Sequence, residues 1–147
     1  MRLKKRMILV FSVLLVIGAV LTGGCAGGDT ATLEAPPRII EDVTPQEALT
    51  LIQNNRNNPD FVIIDVRTPQ EFAEGYIENA INIDFYAETF RGELDNLDKS
   101  KTYLIYCRSG VRSGNTHDIM ADLNFEEVYN VLGGIIAWNA EELPTVK

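Results

Sequence analysis

Cysteine is scarce in this chain: Cys25 and Cys107 are the only two in 147 residues. Two thiols cannot build a disulfide framework. Positive charge is also short, with 13 Lys and Arg against 21 Asp and Glu and a net charge of −8. So acidic a chain is a poor partner for nucleic acid, whose phosphates need a basic patch. Long apolar runs are missing too. Met7–Leu21 is uncharged for 15 residues. As a helix that makes roughly 22 Å, short of the ~30 Å hydrocarbon core of a bilayer. The one histidine, His117, lies more than a helical turn past the nearest arginines, and about 100° from the apolar face of its helix. It reads as a solvated surface residue rather than a base.

What is present begins with a basic start, Arg2, Lys4, Lys5 and Arg6, ahead of the short apolar run. That order is the signature of a secretory signal. The run ends in "LTGGC", Leu21–Cys25. The string resembles the lipobox of bacterial lipoproteins, although Thr22 stands where leucine is usual. The resemblance implies a signal peptide over 1–24, acylation of Cys25 and an extracytoplasmic, membrane-anchored protein. Cleavage there removes the four basic residues and takes the net charge from −8 to −12. Residues 25–37 then form a lipidated cysteine and a flexible tether, small, polar and ending in a proline pair. Residues 38–147 suffice for one domain with its own core, expected to be a monomer.

Within that domain "TPQE" occurs twice, at Thr44–Glu47 and Thr68–Glu71. Each copy sets threonine at an N-cap, proline at the first helical position and glutamate three residues on, which makes a capping box. The pattern predicts helices at 45–55 and near 69–74, with further ones near 86–96, at 112–123 and near 135–141. "FVIID" (61–65) and "TYLIY" (102–106) are continuous apolar runs, as in strands covered on both faces. "AINI" (80–83) and "EVYNV" (127–131) are weaker strand candidates. Strands alternating with helices predict an α/β fold, a mostly parallel central sheet with helices on both faces. Ligands of such sheets gather beyond the carboxyl ends of the strands, where Asp65, Arg67 and Cys107 fall.

"CRSGVRS" (Cys107–Ser113) places a thiol after a buried strand and before a helix whose Thr116, Ile119, Met120 and Leu123 share one face. Loop amides and the free N–H groups of the helix start form an anion cradle there. Arg112 adds a fork of donors, and Gly110 permits the curvature. In that field Cys107 should ionise near neutral pH. Four residues separate Cys107 from Arg112, and the next is Ser113. Cysteine phosphatases need one residue more before their arginine to wrap a tetrahedral phosphate. A tighter loop suits a single sulfur atom carried on the cysteine.

Three stretches together resemble a single-domain rhodanese. They are the loop itself, "DVRTPQEFAEGYIENAINI" (65–83), in which Tyr76 replaces the family's usual histidine, and "YNVLGGIIAW" (129–138). The resemblance implies a sulfurtransferase of the thiosulfate type. Cys107 would take the outer sulfur of thiosulfate or a similar donor as a persulfide and pass it to cyanide or an acceptor thiol. Arg108, Ser109, Gly110, Val111 and Arg112 would bind the small anionic donor and the persulfide, while Asp65 and Arg67 brace the loop and its neighbouring turn. No metal and no organic cofactor is implied. A second reading is a rhodanese-fold module that carries persulfide for a partner without turnover.

The lipoprotein expectation rests on one residue. Cys25→Ala should abolish fatty-acid labelling of the chain and its retention in a membrane fraction. Unchanged labelling and retention would refute it.

Overall fold

The computed structural model describes residues 37–147. The expected acylation site Cys25 and the signal segment lie outside the described residues. Five strands alternate with five helices: β1 (Ile39–Val43), α1 (Pro45–Asn54), β2 (Phe61–Asp65), α2 (Pro69–Ala73), β3 (Ile81–Asn82), α3 (Phe90–Asp95), β4 (Thr102–Tyr106), α4 (Val111–Asp122), β5 (Glu127–Val131) and α5 (Gly134–Ala140). The sheet runs β1-β5-β4-β2-β3, and every pairing between these strands is parallel. β4 is the central strand.

Both capping boxes form. Thr44 and Thr68 accept from the backbone N–H of Glu47 and Glu71, whose carboxylates accept from the threonine amides in return. Buried Val43 and Ala48 share a core cluster at the start of α1, as a hydrophobic staple requires. β2 and β4 read as continuous apolar runs because successive residues enter opposite cores. Ile64, Tyr103 and Ile105 pack on one face with Phe90 and Leu94 of α3 and Met120 of α4. Ile63, Leu104 and Tyr106 pack on the other with Ala48 of α1, Phe72 of α2, and Ile135 and Trp138 of α5. The chain therefore leaves β2 toward one face and leaves β4 toward the other. The two strands lie side by side, so their carboxyl ends open a crevice of the kind that holds ligands in α/β folds.

Two elements depart from the sequence expectation. β1, "IIEDV", was not anticipated: it is an edge strand, half-exposed and carrying the adjacent acids Glu41 and Asp42, so it lacks an apolar run. Helix α3 starts at Phe90 instead of near 86, because Asp84 and Tyr86 are held in a turn through the Asp84 carboxylate.

The start of α5 locks the end of β4. The backbone N–H of Ile135 donates to the Cys107 carbonyl at 2.8 Å, and that of Ile136 to the Arg108 carbonyl at 3.1 Å. Helix N-termini carry N–H groups without intrahelical partners, and here two of them are spent on the neighbouring loop. The approach needs glycine. Gly134 has φ +56°, and a Cβ there would overlap the Cys107 carbonyl oxygen and stand 2.8 Å from the Arg108 carbonyl carbon. Gly134→Ala should lower unfolding stability by about 2–3 kcal/mol in urea denaturation. Gly92→Ala, on an open face of α3 with nothing within 4 Å, should be neutral or mildly stabilising. Equal effects of the two substitutions would show that the contact with the loop does not matter.

Candidate active site

Cys107 follows the last residue of the central strand and is 1% exposed. Helix α4 begins four residues later, at Val111. With the carbonyls of Cys107 and Arg108 held outward by α5, the following amides turn inward. The Gly110 N–H donates to Cys107 Sγ at 3.1 Å, and the Ser113 hydroxyl, fully buried, approaches it at 3.5 Å. Gly110 adopts φ +93° at the helix N-cap, which closes the loop over the sulfur. Burial pushes the thiol pKa up. Donors from the Ser113 side chain and from the amides of Ser113, Ser109 and Gly110 outweigh it, so the thiol falls below its ordinary value.

The other expected site residues are distributed around this loop. Ser109 and Val111 have exposed side chains, Val111 at 69%, so these two residues contribute backbone rather than side-chain chemistry to the cradle. Arg108 is exposed and has no ion pair among the described residues. Arg112 does not turn into the cradle as a free fork. Its Nη1 and Nη2 each donate to Glu71 at 2.7 Å, one to each carboxylate oxygen, and its guanidinium lies 5.5 Å from the Tyr86 ring centroid. The Arg112 bonds draw the Glu71 carboxyl down to about 2 against partial burial, with the Thr68 cap helping.

Asp65 and Arg67 form a buried pair, with Arg67 Nη2 2.6 Å from the carboxylate. The same nitrogen donates to the Gly75 carbonyl at 2.7 Å, and Asn82 Nδ2 donates to the carbonyls of both Asp65 and Arg67. Val66, between them, donates its N–H to the Tyr106 carbonyl, the last residue before the cysteine. The pair therefore fixes the end of β2 and the turn after α2. Among the described residues neither side chain hydrogen-bonds residues 107–112. A cleft beside the loop is lined by Arg67, Glu71, Glu74 and Arg108, with Ile136 and Asn139 of α5 opposite.

His117 differs from expectation. It is half-buried, and its Nε2 is shielded from solvent without a hydrogen-bond partner among the described residues. It stands beside the buried stripe of Ser113, Thr116 and Met120, and helical side chains lean back over the preceding turn. No hydrogen bond joins it to Cys107, so the site has no histidine base of that kind. The sequence showed Glu71 only as a helix cap and Ser113 only as the residue after Arg112, and it marked Gly134 for no contact with the loop. The glycine pair of "VLGG" is the signal for a close approach at Gly134, and the capping box is the signal for a fixed Glu71. Nothing local to Ser113 marked it as a sulfur partner.

Comparison with known proteins agrees with this geometry. Residues 44–141 match the model of the family described as Rhodanese-like domain. A sulfurtransferase of Allochromatium vinosum is 34% identical over 97 residues, covering 66% of this chain and 89% of its own. The thiosulfate sulfurtransferase GlpE of Glaesserella parasuis is 31% identical over 103 residues, covering 70% and 90%. A tRNA uridine(34) hydroxylase of Cytophaga hutchinsonii is 36% identical over 93 residues, which are only 29% of its length. Among solved structures, a rhodanese-related protein from Thermoplasma volcanium superposes with a TM-score of 0.60 at 27% identity, covering 72% of this chain and 97% of its own. With the family model spanning most of the described residues and the Cys107 loop at the end of the central strand, the chain belongs to the rhodanese family.

Proposed function

We propose that the protein is a sulfurtransferase that moves a sulfane sulfur through a Cys107 persulfide. The observation that carries this reading is the closure of the loop on sulfur itself. The Gly110 amide donates to Cys107 Sγ, the Ser113 hydroxyl lies within reach of both that sulfur and the Gly110 carbonyl, and Ser113 stands where a phosphatase would need its arginine. A cradle of this size suits one negative sulfur.

In the reaction, the Cys107 thiolate attacks the outer sulfur of thiosulfate or a similar donor. A new S–S bond forms, the donor's own S–S bond breaks, and sulfite leaves with the electron pair. The negative outer sulfur of the persulfide is then the group that the amides of 108–112 stabilise, in the manner of an oxyanion hole. An acceptor thiolate or cyanide attacks that outer sulfur, the bond to Cys107 breaks, and the thiolate is restored. Arg108, exposed and unpaired, meets the anionic donor. No step calls for a metal or an organic cofactor.

The protein as a whole is proposed to be a monomeric domain, 38–147, held at an extracytoplasmic membrane face by acylated Cys25 through residues 25–37. The basic start, the short apolar run and "GGC" support this placement.

Incubation with thiosulfate followed by intact-mass analysis should add one sulfur to Cys107, and added cyanide should remove it as thiocyanate. Cys107→Ser should take up none while keeping its circular-dichroism spectrum. Aryl phosphate hydrolysis without sulfur uptake would overturn the reading. Removal of a donor that favours the thiolate must raise the pH at which the thiolate forms. Ser113→Ala should therefore move the pH midpoint of iodoacetamide alkylation at Cys107 upward by about 0.5–1 unit, the worth of one long hydrogen bond to the sulfur. An unmoved or lowered midpoint would remove Ser113 from the cradle.

A further inference from the structure

Two arginines crowd the cradle in the sequence, yet their charges are not equally available. Arg112 is bound through both terminal nitrogens to both oxygens of Glu71, with side chains 13% and 26% exposed. A bidentate pair of this kind is charge-assisted and fixed in orientation. The carboxylate is also held from its own side. Glu71 Oε2 accepts from the backbone and hydroxyl of Thr68, both at 3.1 Å, as part of the capping box of α2. Glu71 is thus set in place by its own helix, and Arg112 is drawn to it across 41 positions of sequence. The other arginine of the crevice, Arg67, is cancelled by Asp65, and Glu74 stands in the cleft with Arg108. The surroundings of Cys107 are accordingly near neutral, with backbone and hydroxyl dipoles in place of net cations.

We propose that Glu71 is a specificity-determining residue: by pairing with Arg112 it cancels the fixed cation of the loop and disposes Cys107 toward sulfur donors of one negative charge, such as thiosulfonates, over dianionic thiosulfate. The proposal rests on the sulfur-transfer reading and deepens it. The two donors undergo the same step. Attack of the Cys107 thiolate on the terminal sulfur breaks the donor S–S bond, and the electron pair leaves on sulfite from thiosulfate or on a sulfinate from the thiosulfonate. They differ by one charge, so their ratio reports the field at the cradle and not its nucleophile.

The test measures kcat/KM of the full chain for methanethiosulfonate and for thiosulfate, with cyanide as acceptor. Glu71→Gln keeps an N3 residue competent for the capping box and uncovers the Arg112 charge. The ratio of methanethiosulfonate to thiosulfate should fall about five- to tenfold, the effect of one unscreened charge at a site of intermediate dielectric. The change should shrink as salt is raised toward 1 M, because exposed charge is screened. Glu71→Asp, too short for the two-bond fork, should move the ratio the same way by less and serves if the glutamine variant does not fold. In Glu71→Gln with Arg112→Gln a neutral pair replaces a neutral pair, and the ratio should return to within about twofold of the native value. Equal loss with both donors in Glu71→Gln would mean that Glu71 only positions the loop, and would overturn the proposal. So would a ratio in the double variant well above the native value, from a selective loss of thiosulfate activity, which would mean that Arg112 charge reaches the donor in the native chain. If neither donor places sulfur on native Cys107, it is the sulfur-transfer reading that fails.

Discussion

Two backbone hydrogen bonds, from Ile135 and Ile136 of α5 to the carbonyls of Cys107 and Arg108, decide what the active loop can be. A peptide unit points its N–H and its C=O in opposite directions, so holding the Arg108 carbonyl outward turns the Ser109 amide of the same unit toward the sulfur. The closeness of α5 to the loop depends on Gly134, which has no Cβ to collide with the chain it clamps. The thiol pKa is thereby brought below its ordinary value in a place where burial alone would have raised it. Trp138, further along α5 and buried in the core, holds the helix in that position.

The electrostatics follow the same economy. A chain with 21 acidic and 13 basic residues stabilises an anion without surrounding it with free cations. Preorganised dipoles face the sulfur, as they face the developing charge at oxyanion holes, and in the proposed reaction they need no reorganisation when charge moves to the outer sulfur of a persulfide. Each fixed arginine near the crevice answers a carboxylate and ties two segments. Asp65 with Arg67 joins the end of β2 to the turn after α2, and Glu71 with Arg112 joins the start of α2 to the start of α4. Among the described residues Arg108, also at the crevice, has no such ion pair.

Much of this was legible in the sequence because it is encoded locally. The threonine–proline–glutamate starts, the apolar runs of β2 and β4 and the Cys107–Arg112 spacing each lie within a few residues and need no partner to be read. What was not legible depends on distance. β1 is a strand only because β5 offers it a parallel edge, and its acidic residues hide the pattern. The partner of Arg112 lies in another helix, and the reading of Arg112 as a free donor missed it for that reason. Ser113 looked like the residue that excludes a phosphatase; that it also turns its hydroxyl to the sulfur follows from the helix starting at Val111. The half-burial of His117 is likewise set by packing along α4, where residues beside a buried stripe are drawn under cover.

The all-parallel sheet has a further consequence, one of direction. Every strand starts at one pole of the domain and finishes at the other, and the described chain enters at the starting pole, where Arg38 leads into β1. Cys107 stands at the finishing pole, beyond the last residue of β4. A five-residue strand separates the two by roughly 17 Å of rise. The described chain therefore enters the domain at the pole opposite the one that carries the thiol loop.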